Sequence, residues 1–433
     1  MGGSYSVRDA ALDTLTACRR NGAWADGELK RVLNDARFDG RDAALCTRLV
    51  YGVLQNRALL DFYLSCFYEK PFKQLQPQLQ DILELGAYQL LFTDKIPDHA
   101  AVNEAVEQAK RRGCRRAAPL VNGLLRRLSR EKAALPALPR KSEAEYLSLR
   151  YSHPLWLVEE YEKILPSEEV EQLLELQNSA PPLTIQINSL KTTSARLQRD
   201  LQQLGVDTCV HPWLDGCLEL SGTGSIEQLD AFQNGEFMVQ DAAARIAAVL
   251  SGVKPGDFAI DVCAAPGGKS FALAMMMQDQ GEIRSCDIHP HKLRLIENGA
   301  KRLGISCIKT QLADGRVLQE EWIEKADVVF CDVPCSGLGV IRKKPDARYK
   351  DPEELARLPE IQSAILKNAS RYVKSGGVLL YSTCTVLSRE NRQVVDSFLK
   401  DVSGFEIEPT SLPGRTPQED WTLWPHIHGT DGF

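Results

Sequence analysis

Phe258-Ala259-Ile260-Asp261-Val262-Cys263-Ala264-Ala265-Pro266-Gly267-Gly268-Lys269 runs from an apolar stretch into a helical pattern through a loop of small residues, and this junction decides the fold. Gly267 and Gly268 let backbone approach a ligand closely, and the helix that follows offers unpaired N–H groups at its start. The loop is not a phosphate-binding P-loop, which needs Gly-Lys-Ser/Thr after a longer loop. Nor is it a Gly-x-Gly-x-x-Gly fingerprint. Nicotinamide nucleotides and nucleoside triphosphates are therefore disfavoured.

Outward from this junction, apolar runs at 258–262, 281–287, 306–311, 327–331 and 377–382 read as buried strands, with helical patterns such as 269–277 and 291–303 between them. The alternation indicates a doubly wound parallel sheet, whose ligands sit beyond the carboxyl ends of its strands. Asp287, Asp314 and Asp332 follow the second, third and fourth runs. An acid at the end of the second strand can accept both hydroxyls of a ribose. The series fits an adenosine cofactor without phosphates, S-adenosylmethionine. Taken singly, Asp287 and Asp314 read equally well as caps of the helices that follow them.

Two cysteines each follow a run that reads as a buried strand: Cys335 in Asp332-Val333-Pro334-Cys335-Ser336-Gly337, and Cys384 in Tyr381-Ser382-Thr383-Cys384-Thr385. A thiol at the mouth of a parallel sheet can ionise and attack an electron-poor carbon, whereas one packed in a core is inert. Cys263, Cys286, Cys307 and Cys331 lie in or near strands and read as core packing. The twelve cysteines show no finger or ribbon spacing, so zinc is not expected and a reducing compartment is.

Upstream, apolar residues recur at helical spacing from Val7 to about Leu128, as in Leu45, Leu49, Val53 and Leu79, Ile82, Leu83, Leu90. Breaks are expected at Asn21-Gly22, Asp39-Gly40, Pro71, Pro97-Asp98 and Gly113, with Asp98 as a helix N-cap. The stretch 129–145 reads as a linker. A short helical pattern then runs from Tyr151 to Leu174. Strands at 183–188, 217–220 and 236–239, with helices at 194–204 and 225–229, make a small α+β unit. The domains expected are 1–130, all helical; a linker at 131–150; 151–240, helical then α+β; and 241–433, the parallel-sheet domain.

With 433 residues, the chain exceeds one ordinary core, and its 43% hydrophobic and 25% charged content is that of soluble protein. No run is long enough to span a membrane, and Met1 to Arg8 lacks the apolar core of a signal peptide, so a cytoplasmic protein is expected. The net charge of −6 argues against a nucleic-acid partner, but it conceals a local reversal. Lys110, Arg111, Arg112, Arg115, Arg116, Arg126, Arg127, Arg130 and Lys132 face only Glu131 in their segment. Such a cluster fits phosphate contact or, equally, the solvated face of helices.

Asp261 to Lys269, Asp332 to Gly337 and Ser382 to Thr385 together resemble the RNA (cytosine-5)-methyltransferases of the Sun/Fmu, or RsmB, type. The helical first domain resembles the NusB antitermination domain carried by the bacterial small-subunit rRNA enzyme, through Pro97 to Asn103 and Val121 to Arg126. The resemblance implies a Rossmann-like class I methyltransferase sheet behind an RRM-like α+β unit. It implies S-adenosylmethionine held by Cys263, Ala264, Ala265, Pro266, Gly267, Gly268 and Lys269 of the loop, with Asp287, Asp314 and Asp332.

The implied reaction is methylation of carbon 5 of one cytosine in 16S rRNA. That carbon is a poor nucleophile until a thiolate adds at carbon 6. On the family pattern Cys384 attacks and Cys335 assists release. Asp332 would hydrogen-bond the base, and Lys269 would lower a thiol pKa or hold the base. The base must be unpaired or flipped out of its stack. The helical domain, the α+β unit and the loop Ile341-Arg342-Lys343-Lys344-Pro345 would hold folded RNA. A monomer without metal, DNA or membrane partner is expected.

Two departures stand against the family pattern. Gln186 replaces the usual arginine, and Phe433 falls where the family's last, antiparallel strand would start, so that strand is expected to be truncated. Rival readings are a cytosine methyltransferase of tRNA or 23S rRNA, and an inactive antitermination scaffold. A cysteine hydrolase is disfavoured because no histidine flanks either thiol.

Overall fold

In the computed structural model, residues 5–433 are described except 22, 37 and 413. The backbone forms two units, one built from the chain up to Ser179 with Ile341–Tyr349, the other from Ala180–Val340 with Lys350–Phe433.

The first unit is helical: α1 (Val7–Asn21), α2 (Ala25–Ala36), α3 (Gly40–Cys66), α4 (Pro77–Phe92), α5 (Asp98–Arg111), α6 (Ala118–Glu131), α7 (Glu143–Arg150), α8 (Leu155–Glu162) and α9 (Ser167–Gln177). The periodicity marks its core correctly: Leu49, Val53, Leu79, Ile82, Leu83 and Leu90 are buried, while Leu45 lies at the margin. The Asp39 side chain caps α3 by accepting the Asp42 N–H at 2.8 Å. The break expected at Asn21-Gly22 follows the end of α1, with Gly22 itself outside the described residues.

Helix α4 is buried through most of its length, yet it carries Asp81 and Glu84. Arg19 meets Asp81 at 2.6 Å and also pairs with Glu84, and Arg57 meets Glu84 at 3.1 Å. Buried carboxylates persist only when paired in this way.

Three expectations need correction here. Asp98 is not an N-cap: Pro97 takes that place, and the Asp98 carboxylate reaches Ser129 Oγ at 2.6 Å and Lys132 Nζ at 2.8 Å. The stretch read as a linker is partly helical, because α6 continues to Glu131 and Ser142 caps α7. The basic cluster is less free than its composition suggests. Lys110 pairs with Glu107, Arg111 with Asp9 and Glu104, Arg112 with Asp13, Arg127 with Glu131, and Lys132 with Asp98. Glu104, Glu107 and Glu131 are helical neighbours of the bases they pair with, while Asp9, Asp13 and Asp98 are brought to the cluster by the fold. Arg115, Arg116, Arg126 and Arg130 have no such ion pair among the described residues.

Segment 341–349 is integral to this unit. Arg348 is fully buried, and its Nη1 donates to the carbonyls of Gln55, Tyr151 and Ser152 at 3.1–3.3 Å and to Asn178 Oδ1 at 2.9 Å. The Tyr349 hydroxyl donates to Leu54 O at 2.7 Å. Ile341 and Pro345, read from sequence as part of an RNA-holding loop, are buried. The Lys344 ammonium lies 5.6 Å from the Trp24 ring centre.

The second unit begins with an antiparallel sheet of β1 (Leu183–Ile187), β2 (Asp207–Val210), β3 (Cys217–Ser221) and β4 (Phe237–Val239) in the order β2-β3-β1-β4, backed by α10 (Ser194–Gln203). Strand β2 escapes the sequence reading because Asp207, Cys209 and Val210 are exposed at a sheet edge and show no apolar alternation. The expected helix at 225–229 is a 3₁₀ turn, Ile226–Gln228, followed by α11 (Asp230–Gln233).

Helix α12 (Ala242–Leu250) leads into the parallel sheet of β5 (Phe258–Asp261), β6 (Glu282–Asp287), β7 (Ile308–Leu312), β8 (Ala326–Asp332) and β9 (Val373–Ser382). The connecting helices are α13 (Gly268–Met276), α14 (Pro290–Leu303), α15 (Pro352–Leu355) and α16 (Leu358–Ser370), with α17 (Arg392–Asp401) and α18 (Pro425–His428) after β9. The order is β7-β6-β5-β8-β9, so the winding reverses between β5 and β8. Loops leaving those strands diverge there and open the crevice in which such sheets bind ligands. Residues 423 and 433 pair through two backbone hydrogen bonds, of 2.8 and 3.1 Å.

Candidate active site

The loop after β5 is fixed by backbone contacts. Ala264 N–H donates to Cys286 O at 2.7 Å and Gly267 N–H to Ala264 O at 2.7 Å, with a cis Ala265–Pro266 bond between. Gly267 has φ +108°, and a Cβ there would lie 2.5 Å from the Phe271 ring, so only glycine fits. A Cβ on Gly268 would meet Gln240 Nε2 at 3.1 Å. Beneath the loop Asp261 is fully buried, and its Oδ2 accepts from Ser270 Oγ at 2.7 Å, which in turn accepts from Ser285 Oγ at 2.8 Å. Its Oδ1 is buried without a well-formed hydrogen bond. Burial pushes the Asp261 carboxyl up to about 7.

Gln186, set where an arginine was expected, lies beside this loop. Its amide oxygen accepts from Arg245 at 2.6 and 2.9 Å, and its amide nitrogen donates to Gln240. A guanidinium from α12 therefore sits next to the position where one from β1 was expected.

The three strand-end carboxylates have different company. Asp287 is buried and accepts the His289 N–H at 2.8 Å, with Lys292 3.9 Å away. Both oxygens of Asp314 are held by Arg316, at 2.7–3.2 Å, and these bonds keep its carboxyl below the usual range. Asp332 faces the cysteines instead. Its Oδ2 takes Lys269 Nζ at 2.7 Å and its Oδ1 takes Ser382 Oγ at 2.9 Å. Burial opposes the Lys269 charge, but Asp332 more than offsets this and holds the ammonium pKa above its ordinary value.

Register explains why the two thiols meet. Asp332 on β8 and Ser382 on β9 are cross-strand partners, and Cys335 and Cys384 follow them by three and two residues. Parallel neighbours thus release both loops at one level. The sulfurs lie 3.0 Å apart, and the Cys384 N–H donates to Cys335 Sγ at 3.2 Å. A hydrogen bond from the Cys335 thiol lowers the pKa of Cys384, against burial and Asp332 and with help from Lys269 and Lys350. The same bond, burial and the charges of Asp332 and Glu390 push Cys335 well up. The two thiols therefore titrate as a pair, with Cys384 the one shifted toward the thiolate.

Cys286, Cys307 and Cys331 are buried core residues, as their positions in or near strands suggested, and Cys263 packs against the core that holds Cys286 and Cys331. Burial drives all four thiols upward, Cys286 and Cys307 to about 12.

Several site residues were not singled out from sequence. Ser270 and Ser285 support Asp261; Gln362, Glu390 and Asn391 surround the cysteine loops; and Lys350 Nζ donates to Ser336 O at 2.6 Å. The one available signal was an acid–amide pair, Glu390-Asn391, six and seven residues after Cys384. By composition it reads as an ordinary helix start.

Residues 248–433 match the family described as 16S rRNA methyltransferase RsmB/F. The probable ribosomal RNA small subunit methyltransferase B of Bacillus subtilis (strain 168) is 37% identical over 99% of this chain and 97% of its own. The chain belongs to this methyltransferase family. The ribosomal RNA small subunit methyltransferase B of Klebsiella pneumoniae (MGH 78578) is 31% identical, over 92% of this chain and 90% of its own. Residues 5–130 match the NusB family and 153–227 the ferredoxin-like domain of RsmF/B-like methyltransferases. The crystal structure of PH0851 superimposes with a TM-score of 0.81 at 25% identity, covering 98% of this chain and 97% of that one. The RsmB-type fold read from the sequence, NusB-like helices, a small α+β unit and a Rossmann-like sheet, is therefore the fold of this chain. Among the described residues no helix is long and apolar enough to cross a membrane.

Proposed function

We propose that the protein methylates carbon 5 of a specific cytosine in 16S rRNA, in the cytoplasm, with S-adenosylmethionine as donor and a transient bond from Cys384 Sγ to carbon 6. The observation that carries this reading is the pair of sulfurs 3.0 Å apart beyond β8 and β9, beside the Lys269–Asp332 ion pair. A hydrolase would need a base of another kind at its thiol, whereas here the two sulfurs are hydrogen-bonded to each other.

The residues around β5 and β6 suit the cofactor. The backbone of Cys263 to Gly268 and the start of α13 would hold it, and Asp287 would take the ribose hydroxyls. Asp314 would contribute only once its pair with Arg316 opens. When bound, S-adenosylmethionine supplies an electrophilic methyl group on a sulfonium.

The chain's own groups prepare the base. Cys384, ionised by the Cys335 S–H and by the nearby ammonium groups, adds to carbon 6 and moves an electron pair toward carbon 5. Asp332, held by Lys269 and Ser382, accepts from the exocyclic amine or the protonated ring nitrogen as that charge shifts. Transfer of the carbon-5 proton to water and departure of Cys384 as a thiolate restore the aromatic ring. Cys335 assists this release, with its sulfur still held by the Cys384 N–H.

The names of the relatives favour 16S rRNA over tRNA or 23S rRNA. Arg115, Arg116, Arg126 and Arg130 are the residues we assign to phosphate contact. Mapping 5-methylcytosine in 16S rRNA from cells with and without the gene tests the proposal. One cytosine unmethylated without the gene supports it; an unchanged map with a change in tRNA or 23S rRNA overturns the substrate.

A further inference from the structure

The turn from Ser388 to Asn391 places two consecutive side chains against the two cysteine loops. Glu390 is fully buried, and its Oε2 accepts the Ser336 N–H at 2.8 Å and Gln362 Nε2 at 3.0 Å. Gln362 Nε2 also donates to Pro334 O at 3.0 Å. Backbone groups on either side of Cys335 are therefore tied to one carboxylate and one amide. Asn391 does the same for Cys384: its Nδ2 donates to Thr385 O at 2.9 Å, and its Oδ1 accepts from Thr383 Oγ1. The turn is itself fixed by Tyr381, whose hydroxyl donates to Glu390 O at 2.6 Å.

We propose that Glu390 and Asn391 form a fork that sets the distance between the catalytic sulfurs, Glu390 with Gln362 positioning Cys335 for release and Asn391 positioning Cys384 for attack. The proposal rests on the cysteine roles given above.

Packing alone is a poor account of this cluster. Ser336 Oγ, Gln362 Oε1 and Glu390 Oε1 are buried without hydrogen-bond partners. Such groups cost stability that apolar side chains of equal size would not. What the polar groups supply and apolar ones cannot is direction: each hydrogen bond ends on a backbone atom or a threonine one residue from a catalytic cysteine. The Glu390 carboxylate also adds negative charge near Cys335, which helps keep that thiol protonated and able to donate to Cys384.

Because each prong serves one sulfur, the two substitutions separate the two halves of the reaction. Full-length protein is incubated with unmethylated 16S rRNA and S-adenosylmethionine, and both product and denaturation-resistant RNA–protein adduct are measured. Cys384→Ala and Cys335→Ala serve as references. Asn391→Ala should lose adduct and product together, as Cys384→Ala does. Glu390→Ala should lose product by about 10²-fold while adduct accumulates, as for Cys335→Ala. Glu390→Gln, which keeps an acceptor for the Ser336 N–H, should restore most of the product.

Should Glu390→Ala fail to fold, Gln362→Met removes the donor to Pro334 O at nearly constant volume and should shift the balance toward adduct in the same direction. If Cys335→Ala traps adduct as expected but the Glu390, Gln362 and Asn391 variants all lose product and adduct in equal proportion, the fork is overturned while the cysteine roles stand. If Cys335→Ala traps no adduct, the cysteine roles fall and the fork with them.

Discussion

Cys331 and Cys335 are four residues apart at the end of one strand, yet their surroundings could hardly differ more. Cys331 is enclosed between β5 and β9, and burial drives its thiol up, with the carboxylates of Asp261 and Asp332 adding to the effect. Cys335 lies past the strand end, 3.0 Å from Cys384. Cys384 has a hydrogen bond with Cys335 together with the charges of Lys269 and Lys350, and its pKa is pulled down although it too is largely enclosed. Burial alone therefore does not decide the state of a cysteine in this sheet. Position relative to the strand end does, because only beyond it can loops from two parallel strands bring a second sulfur and a cation together.

The sharpest way to break this comparison is Cys384→Ala. Methyl transfer should fall by at least about 10³-fold, the scale of removing a nucleophile, in an assay that counts 5-methylcytosine. Retained activity would make Cys384 no different from Cys331.

Next is Asp261→Asn, which replaces the titratable carboxyl facing Cys331 from β5. A carboxyl raised to about 7 when folded keeps its proton in the native state above pH 4, while the unfolded chain loses it, so wild-type stability falls as pH rises from about 4 to about 7. Asparagine cannot titrate. The stability of the variant relative to wild type should rise across that window by about 4 kcal/mol and stay level above it, as read by denaturant unfolding.

Cys335→Ala should slow turnover by about 10²-fold and leave a covalent RNA adduct on denaturing gels. Lys269→Met tests the cation. With that charge gone the Cys384 pKa rises, so the acid limb of the kcat/KM profile moves to higher pH. Activity near neutrality should fall by about tenfold and recover in alkaline buffer.

The smallest effect belongs to Cys331→Ala. It should cost about 1 kcal/mol in unfolding experiments and leave methyl transfer intact.

Much of this was legible in the chain. Apolar runs and the small-residue loop place β5 to β9 to within a few residues, and the periodicity of Leu49, Val53, Leu79 and Ile82 places the first core. Asp332, Cys335 and Cys384 stood out because prolines, threonines and strand ends flank them. Where the reading went astray, tertiary contact overrode a local signal. Asp98 looked like a cap but serves α6, and the basic cluster looked bare until Asp9, Asp13 and Asp98 came to it from other helices. Asp207–Val210 shows no alternation because three of its four side chains face solvent at an edge. Gln362 gives no signal, and Glu390 shows only as an ordinary helix start, since nothing in a sequence says that a glutamate will be buried against a backbone N–H far along the chain.

Segment 341–349 has a consequence for the order in which the chain is made. Arg348 supplies one side chain with four acceptors in the helical unit, at residues 55, 151, 152 and 178. A ribosome that has released residues 1–179 has not yet synthesised the piece that joins those acceptors. The helical unit therefore cannot reach its final form until most of the parallel-sheet domain has emerged, and residues 1–179 made alone would be an unfinished fold.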